Sequence, residues 1–200
     1  DSIPTFEKNK KNYWLNIHGL NNPENIASIC EQQGIHNLVI QDILDVNQRP
    51  KFQEFEHFSF LTLKSIVPSE KNIITEQISF VFGTNFLLSF QERKADFFEH
   101  LRYRLRESKG KLRERGADYL LYAMLESTLD NYFKTINKLD EEVEKLNFSD
   151  TTKEPSPNAL AIIEGHKKFV HYITKSILPI KEFTKIVERG DCNSLEQRPV

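Results

Sequence analysis

Six histidines (His18, His36, His57, His100, His166 and His171) and two cysteines (Cys30 and Cys192) are the side chains best suited to nucleophilic or metal chemistry. None falls in a spacing that performs it. There is no G-x-S-x-G nucleophile elbow, no H-E-x-x-H and no G-x-x-x-x-G-K-[ST] loop. No C-x-x-C pair exists, which excludes a zinc knuckle or a thioredoxin-type motif. His166 and His171 are five apart, so a helix would point them to different faces. Nothing in this inventory supports an enzyme. Two charged tracts remain. Arg102, Arg104, Arg106, Lys109, Lys111, Arg113 and Arg115 form a basic run that could meet an anionic surface, although a solvated face, or pairing with the acids further along, explains it better. Asp140, Glu141, Glu142, Glu144, Asp150 and Glu154 form an acidic stretch that would concentrate cations weakly, without a defined site.

The elements that must carry these residues divide the chain into two halves. In the first, Tyr13 to Ile17 alternates as a strand, Pro23 opens a short helix that Gly34 ends, and Ile35 to Asp45 reads as a second helix. Apolar residues from Phe52 to Val67 fill a strand region, with further strands near Ile73–Phe82 and Phe86–Phe90 joined by the turn Gly83-Thr84-Asn85. These hairpin-length connections predict antiparallel neighbours. A helix near Asp96 to Arg106 follows. In the second half, Leu125, Leu129, Tyr132, Ile136, Leu139, Val143 and Leu146 recur in steps of 4 and 3, a heptad stripe. After the polar stretch Asn147 to Pro157, a second stripe runs through Leu160, Ile163, Lys167, Val170, Ile173, Ile177, Ile180 and Phe183, with Pro179 expected to kink it. Two long amphipathic helices joined by a short loop predict an antiparallel hairpin from about Arg115 to Val187. The expected fold is therefore α/β: an α/β/α sandwich with a mixed, largely antiparallel sheet, followed by that hairpin.

Composition narrows the function classes. In 200 residues, 27 Lys and Arg against 29 Asp and Glu leave a net charge of −2, which offers no argument for a nucleic-acid partner. Fifteen Phe and six Tyr argue against disorder. The polar opening residues predict no signal peptide, and the most apolar run, Ile78 to Phe90, is too short and too polar to span a bilayer. Cysteine usage points to a reducing compartment.

One segment is more specific. Gly34-Ile35-His36-Asn37-Leu38 leads through Gln41-Asp42-Ile43-Leu44 into Gln48-Arg49-Pro50-Lys51, then the aromatic strand containing Phe52, Phe55, Phe58 and Phe60. This resembles the CorA family of magnesium and cobalt channels. Trp14-Leu15-Asn16-Ile17, Glu76-Gln77-Ile78-Ser79, Ala117-Asp118-Tyr119-Leu120-Leu121-Tyr122 and Leu178-Pro179-Ile180 match the same family in order, so the resemblance covers nearly the whole chain. It implies a funnel unit on the cytoplasmic face of the cell's inner membrane, self-associating as a homopentamer. It implies no catalysis. Segments 1–110 would form the α/β funnel domain, 111–190 the two willow helices, and 191–200 the start of a linker to a stalk. The stalk and the membrane helices, with their Gly-Met-Asn pore motif, are not in this sequence, and the first strands look shortened.

The same resemblance implies regulatory metal sites between neighbouring subunits. Their ligands map onto Asp42 and Gln41 and, on the first willow helix, Glu126. Gln41 stands where the family usually has Glu, so it would bring an amide oxygen and no charge. The ion would be Mg²⁺ or Co²⁺, bound weakly. Asp42 is expected to point outward from a helix that buries Leu38, Val39 and Ile43. The alternatives are the cytoplasmic domain of a related zinc transporter and a helical-hairpin interaction module without a metal role.

Overall fold

The computed structural model describes residues 12–67, 74–93, 97–145 and 157–189. Five strands, β1 (Tyr13–His18), β2 (Lys51–Glu54), β3 (Ser59–Val67), β4 (Ile74–Gly83) and β5 (Phe86–Gln91), form one sheet in the order β1-β5-β4-β3-β2. The hairpin-linked neighbours pair antiparallel, and β1 alone lies parallel to its neighbour β5. The aromatic region expected as one strand is in fact two. Phe55 N–H donates to Phe58 O at 2.9 Å, the two rings stack 4.5 Å apart, and this turn separates β2 from β3.

The alternation of side chains across each strand builds two cores. Phe60, Val81, Leu88 and Phe90 face helices α1 (Pro23–Gln32) and α2 (Asn37–Leu44). Leu61, Leu63, Ile78, Phe80, Phe82 and Leu87 face α3 (Glu99–Arg106), α4 (Ala117–Lys145) and α5 (Pro157–Glu188). The sheet is thus covered on both sides, which is why both faces of β4 from Ile78 to Phe82 are buried and why Glu76, Gln77 and Ser79 on the same strand are buried polar residues. Phe98 and Leu121 from the second layer and Val39 and Ile43 from the first are fully enclosed.

The α1–α2 corner depends on one glycine. Asn22 caps α1 through its side-chain oxygen, which accepts from Asn25 N–H at 3.0 Å, and Pro23 starts the helix. Gly34, just past the end of α1, has φ +68°, and a Cβ built there meets nothing within 4 Å. The cost of Gly34→Ala is therefore backbone strain alone, and the variant is expected to lose about 1–2 kcal/mol. Urea midpoints of the two proteins test this. An unchanged midpoint would show that the corner tolerates another conformation.

The long helices appear where the heptad steps place them, and α5 runs unbroken through Pro179. Their seam differs from the expected one. Leu125, Tyr132 and Leu139 are buried and Leu129 packs beside them, but Thr128 is enclosed as well, while Ile136 and Val143 are exposed. On α5 the buried line is Phe169, Ile173, Ser176, Ile180 and Phe183. Leu160, Ile163 and Val170 lie outside it at 49%, 37% and 53% exposure. The reason is visible in the sequence: Ile162-Ile163 and Phe169-Val170 are adjacent apolar pairs, so the pattern admits two stripes one residue apart, and the larger Phe169 takes the interior. Half-buried His166 closes the seam with Glu142, Nε2 to Oε2 at 3.2 Å. The loop Ser69–Asn72, Leu146, the acids Asp150 and Glu154, Cys192 and the segment 191–200 lie outside the described residues.

Candidate metal-sensing region at the end of α2

Helix α2 begins at His36, whose Nδ1 accepts the Leu38 N–H at 3.2 Å, and packs Val39, Ile40 and Ile43 on the sheet. Leu38, expected among the buried residues, is 62% exposed, and Ile40 takes that role. A rotation of this size decides where the acids point. Gln41 is exposed. Asp42 is not: only 16% of its side chain is accessible. Its carboxylate turns toward the chain that follows. Oδ2 accepts from Lys51 Nζ at 2.5 Å, and Oδ1 accepts from Gln48 Nε2. The expectation of an outward-pointing Asp42 is thus corrected. The physical cause is local: a carboxylate in the last turn of a helix faces the negative end of the helix dipole, and a nearby ammonium relieves that repulsion.

The sheet fixes the same helix end. Gln77, on β4, donates Nε2 to Asp42 O at 3.3 Å and to Ile43 O at 3.2 Å. Lys64, on β3, donates Nζ to Val46 O and to Gln77 Oε1, the latter at 3.2 Å. Asp45 N–H bonds back to Gln41 O at 2.9 Å. The carbonyls that every helix leaves without intrahelical partners are therefore met here by side chains from the sheet. Burial holds the Lys64 ammonium below its usual pKa range, and the charges of Glu92 and Asp45 offset part of that. Residue type and spacing single out neither Lys64 nor Gln77; Gln77 enters the sequence reading only within the Glu76-Gln77-Ile78-Ser79 match. Their signal is a long polar side chain on a strand covered on both faces, where an unsatisfied polar group would be costly.

Glu126 is exposed on α4, which packs on the opposite face of the sheet from α2. One chain therefore does not bring Glu126 to Asp42. Among the described residues, no group of three or more His, Cys, Asp or Glu side chains could hold a metal ion. The three candidate residues supply only oxygen ligands, the type that Mg²⁺ takes.

The basic tract is largely tied up locally. Arg102 pairs with Glu99 at 3.4 Å and lies over the Trp14 ring at 5.9 Å. Lys109 lies over the Tyr103 ring at 4.6 Å, and Arg113 donates to Ser108 Oγ at 2.7 Å. Among the described residues, no helix is long and apolar enough to cross a membrane.

A family model described as CorA-like Mg²⁺ transporter protein matches residues 9–198. The cobalt/magnesium transport protein CorA of Thermotoga maritima is 33% identical over 203 residues, an alignment covering 100% of this chain and 57% of that protein. The putative metal ion transporter YfjQ of Bacillus subtilis is 21% identical, over 85% of this chain and 52% of its own length. The chain thus spans little more than half the length of these relatives. Among solved structures, the complete CorA magnesium transporter of Methanocaldococcus jannaschii matches with a TM-score of 0.72 at 23% identity, over 94% of this chain and 58% of that one. The ZntB cytoplasmic domain of Vibrio parahaemolyticus matches with a TM-score of 0.69 at 17% identity, over 91% and 71%. These likenesses show the shared fold of the five-stranded sheet and the long helices. With the family model matched from residue 9 to residue 198, the chain belongs to the CorA-like Mg²⁺ transporter family.

Proposed function

We propose that this chain is the cytoplasmic regulatory domain of a CorA-type channel for Mg²⁺ or Co²⁺, and that the end of α2 senses the internal divalent cation. The observation that carries the reading is the family match over residues 9–198, which includes the α2 segment and both long helices. In this reading the domain works on the cytoplasmic side of the cell's inner membrane, within a homopentamer whose membrane helices follow the segment described. Asp42, the Gln41 amide oxygen and a carboxylate such as Glu126 of a neighbouring subunit would hold the ion. What the ion supplies is charge neutralisation between subunits whose acids otherwise repel. An assembly that binds it in one state only is stabilised in that state by mass action. The oxygen-only ligand set favours this reading over a zinc transporter, because Zn²⁺ sites usually draw on His or Cys.

Two measurements test the proposal. Calorimetric titration of this chain with Mg²⁺ is expected to show weak binding, with a dissociation constant of about 10⁻³ M or above, as suits a low-charge oxygen site lacking its second half. Tight stoichiometric binding would show a self-contained site and end the intersubunit mechanism. In a channel that carries this domain, Asp42→Ala is expected to weaken inhibition by Mg²⁺ applied to the cytoplasmic side. Inhibition that is unchanged in the variant would remove Asp42 from the sensor.

A further inference from the structure

The Asp42 carboxylate already has a cation. Lys51 Nζ lies 2.5 Å from Oδ2, while Gln48 Nε2 donates to Oδ1, so both oxygens are engaged by the chain itself. Lys51 is well placed to stay there. It is the first residue of β2, its backbone is fixed opposite Thr62, and its ammonium is 5.9 Å from the centre of the Phe60 ring. The carboxylate has little freedom to turn away, because Gln77 and Lys64 hold the backbone of the same helix end at Asp42, Ile43 and Val46. The Lys51 side chain is the more accessible partner, at 30% against 16% for Asp42, and its long stem is the part able to move.

We infer that Lys51 is a built-in competitor at Asp42: its ammonium occupies the place of a divalent cation, and an ion reaches the carboxylate only by displacing it. The inference rests on the reading of Asp42 as a metal ligand. It adds the residue that sets the threshold. A divalent ion brings twice the charge of the ammonium but must first break a short, partly enclosed ion pair. The exchange weakens apparent affinity and makes occupancy respond in a higher concentration range. The pair also keeps the helix end neutralised when the divalent ion is scarce, so the α2 corner need not unfold on metal loss.

The test uses this chain, labelled with ¹⁵N, and titrates Mn²⁺ while following paramagnetic broadening of the Gln41, Asp42 and Ile43 amides. Lys51→Met is expected to lower the Mn²⁺ concentration for half-broadening by roughly three- to fivefold, the size of a partly exposed ion pair. Lys51→Gln serves the same purpose should the first variant fail to fold. Lys51→Arg keeps the charge and is expected to stay near the wild-type midpoint. Lys111→Met removes an exposed charge on the other layer and is expected to change nothing. Asp42→Asn is expected to abolish broadening at this corner. An unchanged midpoint in Lys51→Met, with Asp42→Asn still abolishing the effect, overturns the competitor role and leaves the metal reading standing. An equal fall in Lys51→Arg or Lys111→Met overturns it as well. Broadening that ignores Asp42→Asn overturns both readings together.

Discussion

Tyr132→Ala is expected to lower the unfolding free energy by about 3–5 kcal/mol, the usual cost of deleting a fully enclosed aromatic side chain. Tyr132 is 1% exposed in the middle of α4, packed with Ile66, Leu139, Phe169 and Ile173. Its hydroxyl donates to the backbone carbonyl of Lys64 on β3, and burial pushes its ionisation well above the usual tyrosine range. Tyr132→Phe keeps the ring and removes only the hydroxyl, leaving the carbonyl short of a partner, and is expected to cost about 1–2 kcal/mol. Chemical denaturation of the three proteins separates the two contributions. If Tyr132→Phe costs as much as Tyr132→Ala, the hydrogen bond rather than the packing holds the helices on the sheet. Lys64 gives the comparison a wider meaning. Its carbonyl is held by α4 and its ammonium holds the loop after α2, so a single β3 residue touches both helical layers.

Much of this arrangement is legible in the residues themselves. The apolar filling and short turns of β3 to β5, the Pro23 and Gly34 boundaries of α1, and the heptad steps that mark α4 as one long helix each follow from local rules that the tertiary structure obeys. What local rules do not fix is rotation about an element's own axis. On α5 two apolar stripes one residue apart were equally compatible with helical spacing, and packing chose the one through Phe169. On α2, Leu38 and Ile40 both suit a buried position, and the choice between them turns the helix enough to bring Asp42 toward Lys51. The candidate acid was found from its motif, but its ion pair needed a partner nine residues on, beyond a turn whose course depends on Asp45 O accepting from Gln48 N–H at 3.0 Å. Glu76 and Gln77 were visible only as a match to the family pattern. Their place on a strand whose continuation, Ile78 to Phe82, is mostly apolar was the available hint that each must do something particular inside.

Glu76 does something costly. It is 1% exposed on β4, opposite Ser65 of β3, where the Gln91 side chain and the Arg93 backbone only partly offset the loss of water. Burial raises its pKa from the ordinary 4.5 to about 7; the Gln91 side chain offsets part of this, Glu92 adds to it, and the Arg93 backbone and charge oppose it. The sign of the effect on stability follows from proton counting. Between about pH 4.5 and pH 7 the folded protein holds a proton on Glu76 that the unfolded chain has already released, so stability falls as pH rises through that window. Above pH 7 the full penalty is present; below pH 4.5 it vanishes. A shift of this size corresponds to about 3 kcal/mol. Glu76→Gln removes the charge and keeps the shape, so the variant is expected to be more stable than the wild type by about 2–3 kcal/mol at pH 8 and nearly equal to it at pH 4. Urea unfolding of both proteins across that range reads the difference directly, and because every histidine is common to the two, their titration cancels. Parallel pH profiles would mean that the carboxylate finds a partner when it ionises. A difference that grows with pH would establish that the strand carries an uncompensated acid at the centre of the fold, held in place by the packing on either side of it.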